Sequence, residues 1–595
     1  MKMRNRQEMK GRFAVATSWK LGLVAKILSV AAILTACCCG VRSASADEPN
    51  GDKTWRPVAV VASAGYDAVW TAAERVAKEL KLAEAVEAAR AIYGDVQGVD
   101  REKPLGVVVA TDGSSVVPFA FLPVASVEKL EFVGASDLKE EIETTPEGIF
   151  IGDEPRLRLL EKDGWLFVCE AGKEAVLPTS DPTAWLGDEE NAGVLTFQID
   201  LTALPEELLE AGFAALRQKA AENAPTDDEA ALEQFDATLE YYSAIFDAIE
   251  RIRWTLDVDA ATGDLVWEAT VACKDDSPLS ETFAGAQNAE TRWGAVAETP
   301  NAVFAVVQAG KHSALDREFL AKQQTVASDN FKTAFEIGLD SDEERALAEE
   351  LFAAFEKCMK PATVDGTFDS ASAFACEPTV LASFAVAPVD GSELTEAVRK
   401  FVEKKKNDVP EKAGEIDKFV KIGAETVEGF AVSKVDVPFA ELETELSEAL
   451  AAYWRDKTLA VRFGTSDDAI LIVAGVDSTA ADAEFARIAA ASKTKTPAPK
   501  RASFDVAPLG RWALDAFGES DSLTGAARKT LGRVAEANDA RFEVEYAVDG
   551  NRLDARYVVK SGVFRLIGDV VRLNIAAKLG SGGEGEDVDE LFEEE

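Results

Sequence analysis

Two periodicities alternate along the chain. Four segments open on a short apolar run rich in β-branched and aromatic residues: RPVAVVASAG from Arg56, GVLTFQIDL from Gly193, NAVFAVVQAG from Asn301 and RASFDVAP from Arg501. Each predicts a strand, and each is followed by sequence of helical spacing. The clearest helix runs from Asp227 to Ile252, where Leu232, Phe235, Leu239, Tyr242, Phe246 and Ile249 predict a core-facing stripe.

Each helical segment then meets a pattern of period two. The four are LGVVVATDGSSVVPFAFLPV from Leu105, IRWTLDVDAATGDLVWEATVAC from Ile252, GTFDSASAFACEPTVLASFAVAPV from Gly366 and RFEVEYAVDGNRLDARYVVKSG from Arg541. All four predict β-hairpins. In the second, Trp254, Leu256 and Val258 are expected against Leu265, Trp267 and Ala269, burying one face and wetting the other. Asp112-Gly113 and Asp549-Gly550 stand where a tight turn needs positive φ. Ser126, DDSPLSETF from Asp275 and DGSELTEAV from Asp390 read as helix starts, whose Ser and Asp accept bonds from first-turn N–H groups.

Further strands are expected as an insert at about 148–172 and again at about 427–475. The order unit, insert, unit thus occurs twice, over 56–290 and 300–565. The fold expected is an internally duplicated α+β protein, each half a curved antiparallel sheet backed by long helices. SKTKTPAPKR, residues 492–501, reads as a linker, and the Gly- and Glu-rich residues 580–595 as an acidic disordered tail.

Charge narrows the function classes. The 595-residue chain carries a formal net charge of -43, although its first 46 residues hold eight Lys/Arg and one Glu. So acidic a surface repels phosphate backbones, and nucleic acid is not an expected partner. The chain has a single histidine, His312, which removes serine triads, Cys-His dyads and zinc sites needing two or more histidines. Carboxylate-only catalysis and all-oxygen calcium sites remain open.

The basic start, the apolar run Ile27–Cys39 and the Ala44-Ser45-Ala46 pattern predict a secretory signal peptide over residues 1–46. Leu34-Thr35-Ala36-Cys37 also resembles a bacterial lipobox, which makes Cys37 a candidate acylation site. Release after Ala46 and anchoring at Cys37 both stay open, and no later segment is apolar enough to span a bilayer. Four cysteines follow the signal: Cys169, Cys273, Cys358 and Cys376. Cys358 and Cys376 are the candidate disulfide, closing a short loop between a helix end and a strand; four buried thiols is the other reading.

No catalytic, cofactor-binding or metal site is assigned from the residues. Ser126-Val127-Glu128-Lys129 and Ser328-Asp329-Asn330 match two elements of penicillin-binding proteins, but the K-T-G element is missing and the element order differs. Asp257, Asp259, Asp264 and Glu268 have the outline of a calcium loop, yet Ala261 and Thr262 stand where an oxygen donor and a glycine are needed. The segments Arg56 to Gly65 and Gly106 to Val124, with DGWLFV at Asp163, resemble large exported proteins of unknown function from planctomycete-type bacteria. That resemblance implies an envelope location and no activity. The function expected is a non-catalytic envelope protein that binds or scaffolds an unidentified envelope component. The alternatives are a carboxylate-dependent hydrolase of envelope polymer and a carrier of an apolar ligand.

Overall fold

A computed structural model describes residues 55–93, 97–125, 142–146, 148–151, 156–178, 181–186, 193–221, 229–323, 325, 341–441, 453–517, 525–537 and 539–580. Residues 1–46 with Cys37, residues 581–595, and the Ser126 and Ser328 motifs lie outside the described residues.

The alternating segments fold as strands. The first half supplies β1 (Arg56–Ser63), β2 (Leu105–Thr111), β3 (Val116–Pro123), β4 (Ile142–Thr145), β5 (Gly148–Ile151), β6 (Leu157–Lys162), β7 (Trp165–Glu170), β8 (Leu195–Asp200), β9 (Ile249–Val258) and β10 (Leu265–Cys273). After a two-residue strand β11 (Glu290–Thr291) come β12 (Ala302–Lys311), β13 (Thr367–Ala375), β14 (Leu381–Ala387), β15 (Val420–Val427), β16 (Phe430–Pro438), β17 (Thr458–Thr465), β18 (Ile470–Gly475), β19 (Thr496–Pro497), β20 (Arg501–Asp505), β21 (Arg541–Asp549) and β22 (Arg552–Val559). Turn chemistry sets the hairpin registers. Gly113 has φ 86°, and Asp112 Oδ1 accepts from the Ser114 and Ser115 amides at 2.9 and 2.8 Å.

Helices fill the connections. In chain order they are α1 (Tyr66–Glu79), α2 (Ala83–Tyr93), α3 (Glu206–Ala221), α4 (Glu229–Ala248), α5 (Pro278–Gln287), α6 (Gly294–Ala297) and α7 (residues 314–323). Then follow α8 (Asp342–Val364), α9 (Ser392–Asp408), α10 (Pro410–Phe419), α11 (Ser478–Ala491), α12 (Ala507–Phe517), α13 (Gly525–Glu536) and α14 (Ser561–Gly580). Two of the expected helix starts lie in the described residues. Ser277 caps α5 through the Ser280 amide, with Pro278 at the first helical position. At α9 the cap residue is Gly391, and Asp390, one residue earlier, accepts from the Ser392 amide instead.

Twenty strands join one open antiparallel sheet. From edge to edge the order is β4-β5-β6-β7-β3-β2-β1-β8-β9-β10-β22-β21-β20-β12-β13-β14-β18-β17-β16-β15. Outward from the central β10–β22 pair, each half lays down its ten strands in the same relative chain order. The central pair is itself antiparallel, so a twofold exchange of β10 and β22 carries one half's strand order onto the other's. The fold is thus mixed α+β, and the strands of the expected inserts, β5–β7 and β16–β18, continue the sheet as its two wings, each ending on one further strand, β4 and β15.

Each wing has its own core, on the same face of the sheet. In the first, Val60, Ala62, Val108, Phe119, Phe121 and Phe167 pack with Val176 and Leu186. In the second, Val307, Ala373, Ala385, Leu471 and Val473 pack against Phe485 and Ile488 of α11 and Trp293 and Val296 around α6. On the opposite face, α8 and α9 cover Val386 and Ile470, and α5 covers Val271, Val548 and Leu553.

Two expectations change. The stripe on the 227–252 helix is not uniformly core-facing: Ile249 is buried but already belongs to β9, while Tyr242 and Phe246 are exposed. The inward ring is Tyr241, stacked on Phe319 at 4.2 Å, because α4 packs against α7 one position off the predicted row. Residues 492–501 are not a free tether. β19 pairs with β11, the Ala498 amide donates to the Ala289 carbonyl at 2.9 Å, and Lys500 Nζ to the Gln287 carbonyl at 2.8 Å.

Candidate functional site

The central strands carry a row of aromatic rings on the face that α5 partly covers. In the β9–β10 hairpin, Trp254, Leu256 and Val258 lie opposite Ala269, Trp267 and Leu265, the pairing that alternation predicts. Alternation also predicts that this face is buried, and there the structure differs. Trp254 is 41% exposed, Trp267 43%, Tyr557 38%, Phe542 40% and Phe504 39%. Among the described residues the helices on this face contact the strand ends: α5 sits over Val271, Val548 and Leu553, and Arg75 of α1 bonds the Val258 carbonyl at the other end.

Register brings the rings together. Phe197 of β8 lies directly opposite Trp254, and their centroids are 5.2 Å apart. Trp254 meets Trp267 diagonally, edge to face, at 5.8 Å. Trp267 is paired directly with Tyr557 across the central β10–β22 junction at 5.5 Å. Phe542 then faces Phe504, at 6.3 Å. One ring on each of six neighbouring strands makes a ladder about 24 Å long, taking ~4.8 Å per interstrand step. These spacings lie in the range of favourable ring contacts. The backbone beneath is paired in the sheet, so the ladder offers almost no hydrogen-bonding groups.

The row has a twofold pattern at residue level. Trp267 lies opposite Leu256, two residues beyond Trp254, which pairs with Phe197. Tyr557 lies opposite Val544, two residues beyond Phe542, which pairs with Phe504. Three rings on one side of the junction therefore match three on the other. The single-sequence pattern contains each of these residues. It lacks any sign that a partner strand almost 300 positions away completes the row.

The reverse face of the same strands is polar. There Arg253, Glu268, Glu545, Arg552, Asp554 and Arg556 line an open groove of about 460 Å³. Arg552 pairs with Asp554 at 2.7 Å and Arg556 with Glu268 at 3.6 Å, while Thr270 donates to Asp554 at 2.6 Å. Polar pairs along and across strands are usual on a solvated sheet face.

The residues singled out in the sequence are placed apart from the ladder. His312 stacks on Phe368 at 4.1 Å, and burial holds its imidazole below the ordinary value. The four acids of the calcium-like outline do not converge. Asp259 accepts from the Ala261 and Thr262 amides, and Asp264 from the Ser561 amide at 2.8 Å and Lys560 Nζ at 3.1 Å. Burial pushes the Asp264 carboxyl up, but the Ser561 amide, Lys560 and Thr262 outweigh it and hold the group below its usual value. Among the described residues no group of three or more His, Cys, Asp or Glu has the geometry to hold a metal.

Cys358 and Cys376 are not bonded to each other; with Cys169 and Cys273 they are buried free thiols. Cys358 of α8 packs against Val389 and Leu394, whereas Cys376 directly follows β13. Burial pushes the thiols of Cys169, Cys358 and Cys376 up to about 11, so little thiolate is present at neutral pH. The native chain should therefore react slowly with a disulfide reagent at pH 8. Denatured without reductant, a chain of residues 47–595 should give four thiols; two or none would mean that the native protein forms bonds absent from this fold.

Among the described residues no helix is long and apolar enough to cross a membrane. Comparison with protein-family descriptions, with curated proteins and with solved structures finds nothing that matches this chain.

Proposed function

We propose that this chain is an exported envelope protein with a binding role, and that what it binds is apolar and lies along the Phe197-to-Phe504 ladder. Export is supported by the signal-like residues 1–46, which leave the chain either released after Ala46 or anchored at Cys37. The common strand order of the two halves, meeting at β10 and β22, supports an origin by duplication. The observation that carries the binding role is the exposure of five large aromatic rings on one face of five neighbouring strands, with Val544 and Val559 between Tyr557 and Phe542. Single exposed apolar side chains are ordinary, but a contiguous patch marks a place where something binds.

The magnitude suits a carrier. Burying a methylene contributes about 0.8 kcal/mol, and a chain pressed against the ladder by one side recovers about half of that. Twelve carbons then give roughly 5 kcal/mol, a dissociation constant on the order of 0.1 to 1 mM for one chain. That is weak enough to load and unload.

The hydrolase alternative has less support. It needs two close carboxyls in an open site, one of them held protonated. Burial does push the Asp369 carboxyl up, but Thr291 and the Arg292 amide enclose it at 2.5 and 2.9 Å.

Nile red, an uncharged dye that brightens in apolar surroundings, tests the reading. Its emission should rise and saturate with the wild-type chain. Trp254→Ser combined with Trp267→Thr should remove most of the signal while leaving the far-UV circular dichroism unchanged. Equal dye binding by a folded double variant would refute the ladder as the site.

A further inference from the structure

We infer that the ladder is built for two acyl chains, one on each side of the β10–β22 junction, and hence for a two-chain lipid without net charge. This deepens the binding role proposed above and rests on it. The first argument is the twofold pattern. The arm Trp267, Trp254, Phe197 and the arm Tyr557, Phe542, Phe504 occupy matching register positions on matching strands. A ligand complementary to such a floor has two like apolar arms joined at the centre, above Trp267 and Tyr557. The rings of each arm run across the strands in single file, which suits a thread of methylenes lying along them.

Hydrogen bonding and charge narrow the class further. The strand backbone is paired, and the rings themselves carry few polar atoms, the Trp Nε1 groups and the Tyr557 hydroxyl, with the Tyr546 hydroxyl on the same face toward α5. A ligand seated there satisfies its own polar groups elsewhere, as a lipid does by leaving its headgroup in water. A chain of net charge -43 repels an anionic headgroup and leaves a neutral or zwitterionic one unopposed.

Native mass spectrometry with monododecanoylglycerol as the single-chain probe reads the number of seats. The wild-type chain should take two. Trp254→Ser should leave one, and so should Phe504→Ser. The arms also differ optically, because tryptophan occurs on the first three rings only and the second arm carries Tyr557, Phe542 and Phe504. A probe brominated along its chain should therefore quench ladder tryptophan in Phe504→Ser, with an unchanged midpoint, and much less in Trp254→Ser. Didodecanoylglycerol should bind once and displace both single-chain probes, and dodecanoate should bind more weakly than the neutral glyceride.

A wild-type chain that takes only one probe overturns the two-seat inference, as does a Phe504→Ser variant that still takes two. If Nile red binds and neither glyceride displaces it, the lipid class is wrong while the binding role stands. If Nile red fails to bind at all, the binding role falls as well.

Discussion

Arg462→Ala should lower the stability of the second half by about 3–5 kcal/mol, the range for truncating a large buried side chain with some cost for the carbonyls it leaves without a donor. Arg462 is 1% exposed on β17, a charge placed inside the second core. Its Nη1 donates to Asp436 at 2.9 Å and its Nε to Asp482 of α11 at 2.5 Å. The remaining donors reach the Val461 and Ser478 carbonyls at 3.2 and 3.3 Å. One guanidinium thus ties β16, β17 and the start of α11 together. Both carboxylates are themselves partly exposed, so they rehydrate when the arginine is removed. The loss therefore falls mainly on the vacated volume and the orphaned carbonyls. On that account Arg462→Met, which refills the volume, should recover part of the loss. Asp482→Asn should cost less than Arg462→Ala, since Asp436 still faces the guanidinium. Urea unfolding followed by amide exchange of β16–β18 checks the order; an Asp482→Asn variant less stable than Arg462→Ala would contradict it.

Trp293→Ala is expected to have an equally large effect, about 3–5 kcal/mol for truncating a buried ring. Trp293 is fully buried beneath the second core, beside Val296 and Phe485. It also carries polar duty. Its Nε1 donates to the Asp369 carbonyl at 3.0 Å, while its amide donates to Thr291 Oγ1 at 2.9 Å. Thr291 in turn bonds the buried Asp369 carboxylate. Trp293→Phe separates the two contributions. It keeps most of the packing but leaves the Asp369 carbonyl without its indole donor, at a cost of about 1–3 kcal/mol. Thermal unfolding should rank wild type above Trp293→Phe and Trp293→Ala last. Equal midpoints for the two variants would mean that the hydrogen bond, and not the ring's volume, dominates.

Much of the local structure was legible in the chain. The runs at Arg56, Gly193, Asn301 and Arg501 became β1, β8, β12 and β20, and all four expected hairpins formed. Backbone sterics explain this: period two and an Asp-Gly turn fix a hairpin without help from elsewhere. The helix over Asp227–Ile252 shows the limit. Its apolar spacing continues through Ile249, yet α4 ends at Ala248, because Ile249 is claimed by pairing with Cys273. Neither Trp293 nor Arg462 stood out in the sequence. An isolated tryptophan or arginine has no local signal that says how deeply it will be buried.

The ladder divides the two kinds of information most clearly. Alternation at Trp254, Leu256 and Val258 determined, from the sequence alone, that these residues share a face and lie opposite Leu265, Trp267 and Ala269. It determined the element order in each half, the acidity of the surface and the near absence of histidine. Only the tertiary structure decided that the apolar face stays open at its centre, because exposure depends on where α1 and α5 come to rest. Only the tertiary structure placed Trp267 against Tyr557, since that contact closes a loop of almost 300 residues and no local pattern encodes it.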